Sequence, residues 1–173
     1  MPNWIEGSLK IKGTPENVNK FIDECLVAYS RSSGVEPEAL PKVAWCEIDE
    51  FDDCYDILVD LHPGTWVHIN DTRRAFLGDN YSEVIRVYNH KSAGNDCFTA
   101  IPIKQAWDFN KDDWIAIAQK YQLHVKLFGI EKGMGFYRDL DIYEDGTVYI
   151  DNRHVFTSYD DFIWECPLPW IGG

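Results

Sequence analysis

Two segments of this chain alternate apolar and polar residues and then switch abruptly to helical spacing. That repeated switch leaves few architectures open. From Trp4 to Lys12, Leu9 and Ile11 fall on one side of a strand, and Ser8, Lys10 and Lys12 on the other. Gly13 breaks the strand, Thr14 is a good N-cap, and Pro15 suits a first helical turn. Val18, Phe21, Ile22, Cys25, Leu26 and Tyr29 then recur at helical spacing, which predicts an amphipathic helix of about four turns. The second segment is extended from Cys97 to Trp107, with Phe98, Ile101 and Ile103 apolar. Asn110 caps the helix that follows, whose inner stripe is Trp114, Ile117, Ala118 and Tyr121. Asp113, three residues after the cap, resembles a capping box with Asp in place of Glu.

The rest of the chain reads mainly as strands. Val43–Cys54 fits a helix or an irregular strand equally well. Asp56–Leu61 and Trp66–Leu77 read as strands joined by the turn His62-Pro63-Gly64-Thr65, and Glu83–Asn89 follows after Gly78-Asp79-Asn80. These are expected to form three successive antiparallel strands. His124–Glu131, Phe136–Tyr143 and Thr147–Ile150 are strands separated by Gly133-Met134-Gly135 and Glu144-Asp145-Gly146. The tail carries Tyr159, Phe162, Trp164, Pro167, Pro169 and Trp170 and is expected to dock on the domain. Two strand–helix units, each followed later by strands, outline a split β-α-β pair. The predicted fold class is α+β. It is a ferredoxin-like antiparallel sheet with two helices on one face, built as a single domain over residues 1–173. Its core covers about 4–30 and 97–150, with a β-rich insertion at about 43–90.

Composition excludes several classes of protein. Apolar residues are 45% of the 173, with seven Trp, too many for a disordered chain. No apolar run approaches the roughly 20 residues of a membrane span, and no leader is recognisable at the start, so a cytoplasmic location is expected. The five cysteines (Cys25, Cys46, Cys54, Cys97 and Cys166) are odd in number and form no C-x-x-C, which points to reduced, buried thiols. The formal charge of -13 disfavours direct binding to nucleic acid, because phosphate contacts reward Lys and Arg.

Acidic residues concentrate at Glu47, Asp49, Glu50, Asp52, Asp53, Asp56 and Asp60, with no Lys or Arg between them. In a helix these charges would span about 21 Å, or about one per 3 Å, close to the roughly 3.4 Å spacing along one DNA strand. In a strand they would span about 46 Å and lie much farther apart. The readings of this run are solvated surface, a protein-binding face, or a cation site, although no EF-hand spacing is present. The tandem Arg73-Arg74, read as part of a strand, would send its side chains to opposite faces, so that only one could line a given pocket. Structural pairing with carboxylates is weighed there against phosphate binding. His62, His68, His90, His124 and His154 have no ligand spacing. Asp139 and Asp141 share one strand face, an arrangement that can hold Mg²⁺ but that solvent-facing alternation explains equally well. No residue is assigned to catalysis or to a metal, and no cofactor is expected.

The opening MPNWIEGSLKIKG, followed by a Thr-Pro helix, resembles small proteins of phages, prophages and plasmids that begin Met-Pro-Asn-Trp. The stretch CFTAIPIKQAWDFNKDDWIAIAQKYQLHVKLFGIEKGMGFYRDLDI resembles the ferredoxin-like domain of the YubB type. The positions that carry this likeness are Phe98, Thr99, Ala100, Glu131, Gly133 and Phe136. The chain departs from that pattern at Ile101-Pro102, where the family usually has Trp and prolines. The ending WECPLPWIGG is similar to prophage proteins of this kind. The resemblance implies a ferredoxin-like fold and a mobile-element origin, and it brings no activity, cofactor or catalytic residue. The expected function is that of a non-enzymatic accessory protein. Its acidic face would meet a basic host or phage protein, for example a nucleic-acid-binding defence factor that it inhibits. The alternatives are a small metal-dependent enzyme built on the carboxylates, and a structural or assembly protein that uses an exposed sheet edge.

Overall fold

The computed structural model describes residues 3–30, 44–47, 54–58, 65–78, 84–92 and 95–166, with backbone alone at 28–30, 44–47, 54–58, 65–66, 84–92 and 95–102. Eleven antiparallel strands form one sheet, and three helices are present among the described residues. In chain order the elements begin β1 (Trp4–Gly13), α1 (Pro15–Cys25) and β2 (Leu26–Ser30). Next come β3 (Ala44–Glu47), β4 (Cys54–Leu58), β5 (Thr65–Ile69), β6 (Ala75–Leu77), β7 (Val84–Ser92) and β8 (Asn95–Ala106). The chain continues with α2 (Lys111–Tyr121), β9 (His124–Glu131), β10 (Phe136–Ile142), β11 (Val148–Val155) and α3 (Tyr159–Glu165). Among the described residues no helix is long and apolar enough to cross a membrane.

The main path through the sheet is β11-β10-β9-β1-β8-β6-β5-β2. β1 is central, with β8 on one side and β9 on the other, both antiparallel to it. β8 and β9 therefore run parallel to each other, joined over β1 by α2. β1 and β2 are likewise parallel, joined by α1.

On its other edge β8 has two partners in succession. Ala100 is the last residue to pair with β7, and Ile103 the first to pair with β6. Between them lie Ile101 and Pro102. Against β1 the same two residues face a single residue, Ser8, since Leu9 pairs with Ala100 and Gly7 with Ile103. Proline has no N–H for a ladder and within sheets is confined to edges, strand starts and bulges. The bulge at Pro102 is thus where the sheet forks, one wing running β7-β4-β3 and the other β6-β5-β2.

The inner stripes of both helices meet as their spacing requires. Val18, Phe21, Ile22 and Cys25 of α1, and Trp114, Ile117, Ala118 and Tyr121 of α2, are buried in one core with Leu9, Ile11, Leu127, Leu140 and Ile142 from the sheet. Phe21 sits edge-on to Tyr121 with centroids 5.6 Å apart. Alternation along β9 sends Val125 and Leu127 to this core, and Phe128 and Ile130 to a second cluster on the other face with Phe156, Phe162 and Cys166. Phe162 belongs to α3, so part of the aromatic tail docks as expected. The short helix itself was not read from the sequence, and residues 167–173, with Pro167, Pro169 and Trp170, lie outside the described residues.

Several expectations are corrected. The first helix ends at Cys25, where the Leu26 N–H still bonds Ile22 O, and the chain turns directly into β2, which pairs with β5. The segment from Trp66 to Leu77 is not one strand. It is β5 and β6 joined by a tight turn in which Asp71 (φ 63°) and Arg74 (φ 59°) are left-handed. The Thr72 hydroxyl ties that turn, donating to Ile69 O (2.5 Å) and accepting from Ala75 N (3.2 Å). The expected meander also fails. β4 pairs with β3 and β7, whereas β5 pairs with β2 and β6. β11 extends past Ile150 to Val155.

Candidate functional site

The acidic run begins at the end of β3 and continues beyond β4. Glu47 closes β3, standing opposite Tyr55, and Asp56 lies on β4 opposite Cys46. These two positions are strand, so the helical spacing that would imitate a nucleic-acid backbone does not hold there. Asp49, Glu50, Asp52 and Asp53 fall in the connection between the two antiparallel strands, and Asp60 follows β4; all five lie outside the described residues. Among the described strands β3 pairs only with β4, so this hairpin ends its wing of the sheet. The register also places Arg86 of β7 opposite Asp56. The run has no basic residue in sequence, yet it gains a basic cross-strand neighbour in the fold.

The most connected polar group among the described residues is one the sequence reading missed. Gln105 of β8 is fully buried. Its Oε1 accepts from the Trp114 indole (3.0 Å) and the Asn110 N–H (3.2 Å). Its Nε2 donates to Arg73 O (3.2 Å) and Asp113 Oδ2 (3.4 Å). Both lone pairs and both hydrogens are thereby used, as burial of an amide requires. Asp113 also accepts from Arg73 N (2.7 Å) and faces the Arg73 guanidinium at 3.4 Å. The capping box at α2 is therefore half formed. Asn110 Oδ1 accepts from Asp113 N (3.2 Å), while the Asp113 carboxylate turns to the β5–β6 turn instead of back to the cap.

Beside this group lies an open cleft of about 470 Å³, lined in part by Arg73, Arg74, Trp107, Asp108 and Lys111. Both arginines of the tandem line it, because they sit in a turn and not in a strand. Three of its charged side chains are paired within the chain. Arg73 meets Asp113, Lys111 holds Asp151 at 2.7 Å, and Asp108 lies 3.3 Å from Arg153. Arg74 lies over the Trp4 ring, 5.5 Å from its centroid. Burial pushes the Asp108 carboxyl up, against the pull of Arg138 and Arg153. Of the two roles weighed for the tandem, carboxylate pairing describes Arg73.

Asp139 and Asp141 do share a strand face, but Asp141 is already engaged by Lys126 (2.8 Å) and His124. Among the described residues no group of three or more His, Cys, Asp and Glu is placed to hold a metal ion. Burial alone would raise the Asp141 carboxyl, yet the hydrogen bonds and charges of Lys126 and His124 outweigh it and hold the group below the usual carboxylate range. A depressed folded-state pKa stabilises the fold above the unfolded-state pKa of about 3.9, and that contribution is lost as pH falls through the folded value. Asp141→Asn is expected to cost about 1–3 kcal/mol at neutral pH. The gap from the unsubstituted protein should close as pH drops below about 4. Urea titrations at several pH values measure this, and a pH-independent gap would show that the ion pairs do not act as described.

Of the five cysteines the described side chains are those of Cys25 and Cys166, and both are free and buried. Burial, aided by the Asp71 charge, pushes the Cys25 thiol up to about 12, so it is not an activated nucleophile. No known protein family, curated protein or solved structure matches this chain.

Proposed function

We propose that this chain is a non-enzymatic accessory protein of a phage or other mobile element. In this reading it works in the cytoplasm and binds a basic protein through the acidic residues carried on and around the β3–β4 hairpin. A nucleic-acid-binding defence factor that it inhibits is the concrete form. The carrying observation is the placement of the run. Its seven carboxylates are about half of the net charge of -13, and four of them lie in the connection of a hairpin at the end of one wing. Elsewhere Asp71, Asp108, Asp113, Asp141 and Asp151 are each matched to a cation of the same chain. A run of one charge sign steers a partner of opposite sign, and that steering fades with salt.

The fold reading belongs to the same proposal. β1-α1-β2 and β8-α2-β9 interleave in the order β9-β1-β8-β2, interrupted by β6 and β5. This supports a ferredoxin-like core with the β5–β6 hairpin spliced into the sheet and the β3-β4-β7 wing added to β8.

The test compares the unsubstituted chain with the quadruple variant Asp49→Asn, Glu50→Gln, Asp52→Asn, Asp53→Asn. Both serve as bait in a lysate, and the proteins retained only by the former are then purified for stopped-flow binding. Association should slow by about tenfold or more in the variant, and in the unsubstituted chain it should slow steeply as ionic strength rises. The unfolding midpoint should hardly move. If the variant binds at the unsubstituted rate, or salt has no effect, the acidic run is solvated surface.

A further inference from the structure

We propose that the protein forms a symmetric dimer by antiparallel pairing of β11 with β11 of a second copy, in a register centred on Asn152. β11 is eight residues long and pairs with β10 on its inner side, and among the described residues no strand takes its outer side. Such an edge presents alternate N–H and C=O groups to any strand that fits. Natural edges are commonly blunted by proline, lysine or bulges. β11 contains neither Pro nor Lys, its two charged residues Asp151 and Arg153 are of opposite sign and so can pair across an antiparallel seam, and its one irregularity lies at its start, between the pairs Asp141–Ile150 and Ile142–Val148.

Symmetry and side-chain alternation restrict the register. A two-fold axis requires that if residue i faces j, then j faces i. Opposed residues must also share a sheet face, so the axis passes beside one residue, which then faces itself. Centring on Asp151 or on Arg153 opposes like charges, which is destabilising. Centring on Asn152 sets Asp151 opposite Arg153 of the second copy, twice, and Ile150 opposite His154, twice.

The two charged side chains are already fixed near the edge. Asp151 is held by Lys111 (2.7 Å) and Arg138 (2.5 Å). Arg153 is held by Asp108 (3.3 Å) and lies 3.8 Å above the Phe136 ring. Their side chains remain 29% and 35% exposed, so both retain surface for a further partner. Pairing would carry the row Asp108, Arg153, then Asp151 and Arg138 of the second copy across the axis, with alternating sign. This interface is independent of the acidic hairpin and of any partner it binds.

Asn152 offers the sharpest test. It is exposed, makes only a long 3.4 Å bond to the Tyr137 hydroxyl, and stands opposite Asp139 of its own β10, so Asn152→Lys leaves the fold intact whereas Asn152→Asp adds a like charge beside Asp139. Asn152→Lys sets two ammonium groups opposite each other in the dimer, Asn152→Asp sets two carboxylates, and an equimolar mixture sets one of each. Sedimentation velocity of the full chain over about a hundredfold range of concentration reads the outcome. The unsubstituted protein should shift from monomer to dimer mass as concentration rises. Each variant alone should need at least about tenfold more protein to do so, and the mixture should dimerise at least as well as the unsubstituted chain. Asn152→Lys should melt with the unsubstituted protein by circular dichroism, and Asn152→Asp, facing Asp139, somewhat lower but still as one cooperative transition. A monomer at every concentration, undiminished association of either variant alone, or a mixture that stays monomeric would each overturn the proposal.

Discussion

Trp114→Ala should lower the unfolding free energy by about 3–5 kcal/mol, because a large core side chain is removed and the cavity only partly closes. Trp114 is fully buried on the inner face of α2, in the same core as Phe21 of α1. It also donates its indole N–H to Gln105 Oε1 at 3.0 Å. Gln105 in turn fixes the start of α2 against the Arg73 carbonyl, so the loss reaches the β5–β6 turn. Trp114→Phe separates the two effects. It keeps most of the ring volume and forfeits the hydrogen bond, and should cost about 1–3 kcal/mol. Equilibrium urea unfolding measures both. A loss below about 1 kcal/mol for the alanine variant would mean that the helix stripe is not core.

Gly7→Ala is expected to be comparably damaging, although it adds only a methyl group. A β-carbon on Gly7 would fall 1.8 Å from the Phe128 carbonyl oxygen and 2.6 Å from the Gly129 α-carbon. Both are backbone atoms of β9, so no rotamer change relieves the overlap and the central strand pair must separate. A cost of about 3 kcal/mol or more, or failure to accumulate as folded protein, is the expected result. Gly135→Ala is the control. Its φ of +64° is unfavourable to a side chain, but nothing lies within 4 Å of the added atom. That change should cost only about 1 kcal/mol, from backbone conformation alone. Equal effects at the two positions would show that close strand approach is not what Gly7 provides.

The elements legible in the sequence were those whose own side chains settle the matter. The caps at Thr14 and Asn110, the stripes of α1 and α2, and the alternation of β1, β8, β9 and β10 needed no distant partner to be read. Errors fell where pairing across the sheet overrode local pattern. Leu26 and Tyr29 continue the apolar spacing of α1, yet Leu26–Ser30 is taken as a strand by β5. The turn after Ile69 carries neither Gly nor Pro, and Thr72 and two left-handed residues make it instead. Asn70-Asp71-Thr72, a run of turn formers inside an assumed strand, was the available signal. Gln105 could also have been noticed. It lies two residues after Ile103, on the apolar side of its strand, where a polar side chain implies a buried network. The acidic run shows the limit of linear reading, since Arg86 opposite Asp56 is separated from it by 30 positions and becomes a neighbour only through the β4–β7 register.

The fork at Ile101-Pro102 bears on how such a chain can change over generations. One strand carries two wings end to end, and the residue at the seam has no amide hydrogen with which to join them. The β3-β4-β7 wing meets the rest of the sheet through the first half of β8, away from the polar group at Gln105 and from the start of α2. Insertions, deletions and charge changes in that wing leave the pairs that β8 makes with β6 untouched. Substitutions can therefore accumulate in that wing while the helix-covered half of the molecule keeps its shape. A lineage of such chains would diverge fastest in residues 44–58 and 84–92 and slowest around Gly7, Gln105 and Trp114.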